Sequence, residues 1–223
     1  RRPILRILFQ FDFEKLGSKK PKLIIPFGIN LDLYKPLFNE NPQLNFFHLG
    51  SMDWTPNIEG LNWFLDEIWP EIHKIFPKSH FYLAGRDMPE AFYERKSPNV
   101  HIVGEVEDAK NFMNSNSIMI VPLLSGGGIR VKIIEGMALG KAIISTAVGA
   151  EGLHYKNKKN IWIANKVDDF IKAINYFNER LQKINKMGPN ASDYIEKTII
   201  EMLISFYGEL LSKPIFNPGK ITA

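Results

Sequence analysis

The chain has no cysteine among its 223 residues. That excludes disulfides and thiolate metal sites, and it suits a reducing compartment. Its five histidines, His48, His73, His80, His101 and His154, never recur at the i, i+4 spacing of a zinc-binding helix. No run approaches the ~18 consecutive apolar residues of a membrane-spanning helix. The first residues, Arg1-Arg2 and a mixed segment, lack the apolar stretch of a secretory signal. Missing too are a G-x-S-x-G nucleophile elbow, a Walker A Gly-Lys-Ser/Thr, helix-turn-helix and zinc-finger signatures, internal repeats and low-complexity tracts.

What is present is a core. Hydrophobic residues make up 45% of the chain, enough for one large domain or two small ones, and disorder is excluded. The net charge of +4 is unevenly placed. Residues 1–36 hold eight Lys and Arg against three acids, a surplus of five, so the remainder carries about −1. A basic stretch of this kind suits nucleic acid or an anionic lipid surface. A solvated strand edge or interdomain face is the commoner explanation, and no nucleic-acid partner is expected.

Apolar runs at 44–49, 80–84, 99–103, 118–123, 142–145 and 161–164 read as strands, with a shorter one at 23–25. Between them, helices are expected at 56–76, 108–116, from Ile129 to the glycine at 140, and 167–183, with a last one at 191–211. Such alternation implies an α/β fold: a Rossmann-like, mostly parallel sheet flanked by helices.

The stretch around which the rest is organised is 121–152, a strand, a glycine loop, a helix, a strand and a second glycine loop. Ser125 and Gly126, Gly127 and Gly128 break the strand. Ile129, Ile133, Ile134, Met137 and Ala138 then recur at helical spacing, and Gly140 ends the helix. Glycines before a helix leave N–H groups uncovered, and the helix N-terminus adds partial positive charge. Arg130 and Lys132 stand in what should be the first turn, where a cation is disfavoured unless it shares an anion with those N–H groups; a diphosphate fits. Glu135 is an acceptor suited to a hydroxyl pair such as that of ribose. The alternative is a plain turn with a solvated Arg/Lys pair.

Five segments in order carry a resemblance: IPFGINLDLYKP (25–36), LGSMDWTPNIEGLNWF (49–64), FYLAGR (81–86), VHIVGEVED (100–108) and PLLSGGGIRVKIIEGMALGKAIISTAVGAEG (122–152). Together they resemble the donor-binding, C-terminal half of the family 4 retaining glycosyltransferases, which have the GT-B fold. The resemblance implies that residues 1–36 are the end of a preceding acceptor domain plus a hinge, 37–212 the donor domain and 213–223 a tail. It adds Gly50, Ser51 and Arg86 to Gly127, Gly128, Arg130 and Lys132 as diphosphate contacts, gives Glu135 the ribose, and places the base beside Val106. The implied ligand is a UDP- or GDP-sugar, with retention of configuration and no divalent metal. A glycan or lipid-linked acceptor would be bound by the preceding domain, which would also bring any acid/base histidine; no catalytic residue is assigned within the chain, and His154 has no role. The implied setting is bacterial surface polysaccharide synthesis in the cytoplasm, with peripheral attachment of the full-length protein to the inner membrane left open. Two positions depart from the family pattern: Gly127 stands where a glutamate usually holds the donor sugar, and Phe27 replaces an asparagine. A non-catalytic sugar-nucleotide module, a sugar-nucleotide epimerase and a nucleic-acid-binding domain remain alternatives.

Overall fold

The computed structural model describes residues 33–35, 37, 44–128, 130–153 and 155–179. The readings of a strand at 23–25, of a helix at 191–211, of the tail, of Phe27 and of His154 lie outside these residues, as does most of the hinge.

Six strands form one sheet: β1 (Asn45–Leu49), β2 (His80–Ala84), β3 (Val100–Gly104), β4 (Ile118–Val121), β5 (Ala142–Ser145) and β6 (Trp162–Ile163). Their order is β3-β2-β1-β4-β5-β6 and every pairing is parallel. Among the described residues the sheet is wholly parallel. Side chains alternate between two apolar layers, as the two-residue strand period requires. Phe46, Phe81, Leu83, Ile118, Ile120 and Ile144 enter one layer with the helices α1 (Thr55–Trp63), α2 (Trp69–Ile75) and α6 (Val167–Glu179). Phe47, Met119, Val121 and Ile143 enter the other with α4 (Ala109–Asn114) and α5 (Val131–Ala138). Because both faces are covered, β4 and β5 are buried along their whole length.

Each helix carries its reasons in the sequence. Asp108 caps α4, its carboxylate accepting from the N–H groups of Lys110 (2.9 Å) and Asn111 (3.0 Å). In α6, Phe170, Ala173, Ile174 and Phe177 form one buried stripe. At the end of α5, Gly140 takes φ +64° while its N–H reaches Met137 O and the Lys141 N–H reaches Gly136 O, the paired bonds of a glycine-terminated helix.

The single helix expected over 56–76 is interrupted. Phe64–Ile68 is a π-helical turn, closed by the Trp69 N–H on Phe64 O. Pro70 explains it: proline has no N–H to give the carbonyl one turn back, and its ring crowds that carbonyl, so the helix widens by a residue. The widened turn buries Phe64, Ile68 and Trp69 together, with Trp69 edge-on to Phe46 at 6.0 Å and Phe64 5.0 Å from Phe81. A short helix, α3 (Glu90–Tyr93), stands where no periodic signal marks one.

Candidate nucleotide-binding crevice

From β1 the chain steps outward through β2 to β3; it then returns to β4 and steps the other way. Chain direction across the sheet thus reverses between β1 and β4, and a crevice opens outside their C-terminal ends, where parallel sheets bind ligands. Two loops wall it: 50–54 after β1 and 122–130 after β4. Gly60 brings α1 onto the second loop so closely that a Cβ there would lie 2.3 Å from Pro122 O. Ser125 Oγ donates to Glu59 of the same helix at 2.6 Å.

Arg130 lies just ahead of α5, not within its first turn, and is only 4% exposed. Its guanidinium turns back into the loop, donating to the carbonyls of Gly126 (2.6 Å), Val148 (3.0 Å) and Gly127 (3.4 Å). Trp54 covers it, with the ring centroid 5.6 Å from Cζ. Burial pushes its pKa down, and Glu151 partly opposes that. The electrostatic objection to a cation here is thus met by backbone carbonyls, and Arg130 moulds the loop. Its buried Nε makes no hydrogen bond among the described residues. Gly127 and Gly128 stay exposed, with nothing within 4 Å of where a Cβ would be, and Gly128 has φ +105°. The backbone of these two glycines is thus open to solvent just before α5.

Lys132 points to the crevice floor. Its Nζ donates to Asn57 Oδ1 at 2.7 Å and lies 3.4 Å from His48 Nε2. His48 is fully buried, and its Nδ1 sits 2.8 Å from Ile120 O. A carbonyl can only accept, so Nδ1 carries the proton and Nε2 accepts from Lys132. Asn57 Nδ2 donates to Ser51 O at 2.7 Å, which turns Oδ1 toward the lysine. Desolvation, then the charge of Arg130, lowers the Lys132 pKa to about 7. Burial and Lys132 together hold His48 well below the ordinary histidine range, against the Ile120 bond. Gly50 roofs this cluster; a Cβ on it would lie 2.5 Å from Lys132 Nζ.

The structure therefore brings together Gly50, Ser51 and Lys132. Arg86 joins them at the rim, its Nε donating to Ser51 Oγ at 3.0 Å while Asp53 and Asp87 lie 3.8 and 3.6 Å away. Glu135, one turn along α5 from Lys132, borders a cavity of about 540 Å³ lined also by Glu107, Asp108, Lys110, Asn111 and Met113. Tyr34 donates to its Oε1 at 2.7 Å, and burial followed by this bond pushes the tyrosine pKa up to about 12. Lys110 Nζ sits over the Tyr34 ring at 4.7 Å. Val106 is half-buried one residue before that cavity wall. Sequence reasoning assigned no role to His48, Asn57 or Tyr34. The available signal was His48 itself, a polar residue inside the apolar run NFFHL. Among the described residues no group of three or more His, Cys, Asp and Glu side chains is placed to hold a metal ion. No helix among them is long and apolar enough to cross a membrane.

The profile of the family described as Glycosyl transferases group 1 matches residues 43–179, more than half of the chain. The chain belongs to this family. An uncharacterised 44.6 kDa protein in the cps region of Klebsiella pneumoniae is 24% identical over 162 residues, covering 69% of this group 1 glycosyltransferase chain and 42% of that protein. Among solved structures, sucrose-phosphate synthase of Thermosynechococcus elongatus superposes with a TM-score of 0.66 at 18% identity, covering 92% of this chain and 56% of the synthase. HepE of Anabaena, in complex with UDP and glucose, gives 0.61 at 15% identity, covering 83% and 55% respectively. These structural likenesses establish the Rossmann-like α/β fold. The chain spans about half the length of such relatives or less.

Proposed function

We propose that this glycosyltransferase chain is the donor-binding unit of a GT-B enzyme. It holds a nucleoside-diphosphate sugar in the β1–β4 crevice for retaining transfer of a hexose to a glycan or lipid-linked acceptor. The observation that carries the reading is the convergence, at the reversal point of the sheet, of a lysine amine, an exposed glycine loop and a carboxylate one helical turn away. Lys132 and the Gly127 and Gly128 N–H groups meet the diphosphate, with Gly50, Ser51 and Arg86 bordering it. Glu135 takes the ribose hydroxyls, and the base lies by Val106 along the cavity wall. Charge grows on the diphosphate as the glycosidic bond breaks, and donors already in place stabilise it without a divalent metal. Arg130 serves the same end indirectly, by fixing the loop. The acceptor and any acid or base are bound or supplied from outside residues 37–212. The complex of HepE with UDP and glucose supports the class of donor, and the cps-region relative supports a role in surface polysaccharide synthesis.

Calorimetric titration with UDP, GDP, UDP-glucose and GDP-mannose tests this. One nucleotide series should bind at a single site. Lys132→Ala should weaken it by about 10- to 100-fold, the loss of a charged hydrogen-bonding partner. Glu135→Ala should weaken nucleotides but not inorganic diphosphate. Absence of binding to all four ligands, or an affinity indifferent to both substitutions, would overturn the reading.

A further inference from the structure

Lys132 sits among groups that accept hydrogen bonds but carry no negative charge. His48 faces it from β1 and Asn57 from α1, while Arg130, the charged group nearest in the glycine loop, is a cation. Of the other ionisable groups around the crevice, Glu59 of α1 accepts from Ser125 and Glu151 acts on Arg130. Glu135, further along α5, is held by Tyr34; Arg86, from the loop after β2, lies with Asp53 and Asp87. Both acceptors are fixed: His48 Nδ1 is committed to Ile120 O, and Asn57 Nδ2 to Ser51 O. A neutral amine has two N–H donors, and the two acceptors satisfy both. An ammonium would hold a third proton and a full charge with no counter-ion, in a place that burial already makes costly. Gly50 lies against the amine, and a Cβ there would stand 2.5 Å from Lys132 Nζ, so only glycine leaves the amine room.

We propose that His48 is a positioning residue: with Asn57 it holds Lys132 as a neutral amine in the empty site, and donor binding charges that amine by taking up one proton. The inference rests on the crevice being a diphosphate site. The incoming diphosphate supplies the absent counter-charge, the proton comes from solvent, and the third N–H so created points at the ligand. The lysine's low pKa, about 7, agrees with the hydrogen-bond count.

The test is calorimetry of UDP binding at pH 8.0 in two buffers of different ionisation enthalpy. At that pH the terminal phosphate of UDP, with a pKa of about 6, no longer titrates. Uptake should approach 0.9 proton per UDP, about the neutral fraction of such a lysine, and Kd should rise nearly 10-fold per pH unit between 7.5 and 8.5. Lys132→Arg, permanently charged, should bring uptake close to zero and flatten the pH profile. His48→Phe should move the midpoint of the affinity–pH curve, and His48→Gln, which restores an acceptor and a donor, should bring it back; circular dichroism checks that each variant is folded. UDP binding without net proton uptake, or a profile unmoved by both Lys132→Arg and His48→Phe, overturns this inference and leaves the donor site standing. Failure of UDP and GDP to bind at all overturns both.

Discussion

Replacing Gly60 with alanine sets two physical effects of opposite sign against each other. Gly60 lies within α1, and alanine is better in a helix by about 1 kcal/mol. On helix propensity alone, Gly60→Ala should stabilise the protein. Packing says otherwise. The added Cβ would stand 2.3 Å from Pro122 O, 2.9 Å from Pro122 C and 3.2 Å from Leu123 Cα, all of them backbone atoms. None can swing aside as a side-chain tip would, so α1 must back away from the loop after β4. Overpacking of this kind costs about 1–3 kcal/mol, and a backbone clash of this depth belongs at the upper end. The difference is a net loss of about 1–2 kcal/mol. At about 2–4 °C per kcal/mol for a chain of this size, Tm should fall by about 2–8 °C. Differential scanning calorimetry measures it, with Gly127→Ala as the comparison because that glycine has nothing within 4 Å of its Cβ position. Since α1 carries Asn57, Gly60→Ala should also weaken UDP binding. A Tm equal to or above that of the parent would refute the argument from packing.

Two further outcomes are expected. Tyr34→Phe removes the hydroxyl that holds Glu135 Oε1, and a tyrosine with a pKa of about 12 is a donor at any working pH. UDP affinity should therefore drop about 3- to 10-fold, roughly 1 kcal/mol, with inorganic diphosphate unaffected; parallel titrations decide it, and equal losses for both ligands would count against Glu135 as the ribose acceptor. The second concerns acid. His48 is held below its ordinary value in the folded chain, so as pH falls the unfolded chain binds this proton first, at about 6.5. Stability should then decline below about pH 6.5, by up to about 1.4 kcal/mol per pH unit from this group alone. Urea midpoints at pH 5.0 and 7.5 should differ less in His48→Gln than in the parent, and an identical difference would sink the assignment.

Most of the sheet could be read from the sequence because a parallel strand covered on both faces leaves an apolar run with few exceptions. His80–Ala84 and Ala142–Ser145 match their expected bounds, and the other four strands each differ by one or two residues in all. The helix over 56–76 was legible, but not its π turn, although Pro70 stood in plain view; a proline signals disruption without saying whether the helix kinks, ends or widens. The short α3 has too few residues for a period to show. At the site, glycines could be placed because their backbone role is local. Long side chains could not. Arg130 reads from the sequence as a ligand contact, yet it folds back on two carbonyls of its own loop and on that of Val148, and no spacing rule reports which way a guanidinium turns. His48 and Asn57 were invisible as partners of Lys132 because the three meet only across 75 to 84 residues of chain.

The order of the strands has one more consequence. The sheet consists of two half-sheets, β1 to β3 and β4 to β6, each built from neighbours in the chain and joined along the single seam between β1 and β4. His48, Gly50 and Asn57 belong to one half; the glycine loop, Arg130 and Lys132 belong to the other. Neither half holds the Lys132 cluster by itself. Only when the seam closes does the amine find its two acceptors, so the nucleotide binding proposed for this chain would report on the join itself, not on either piece that makes it.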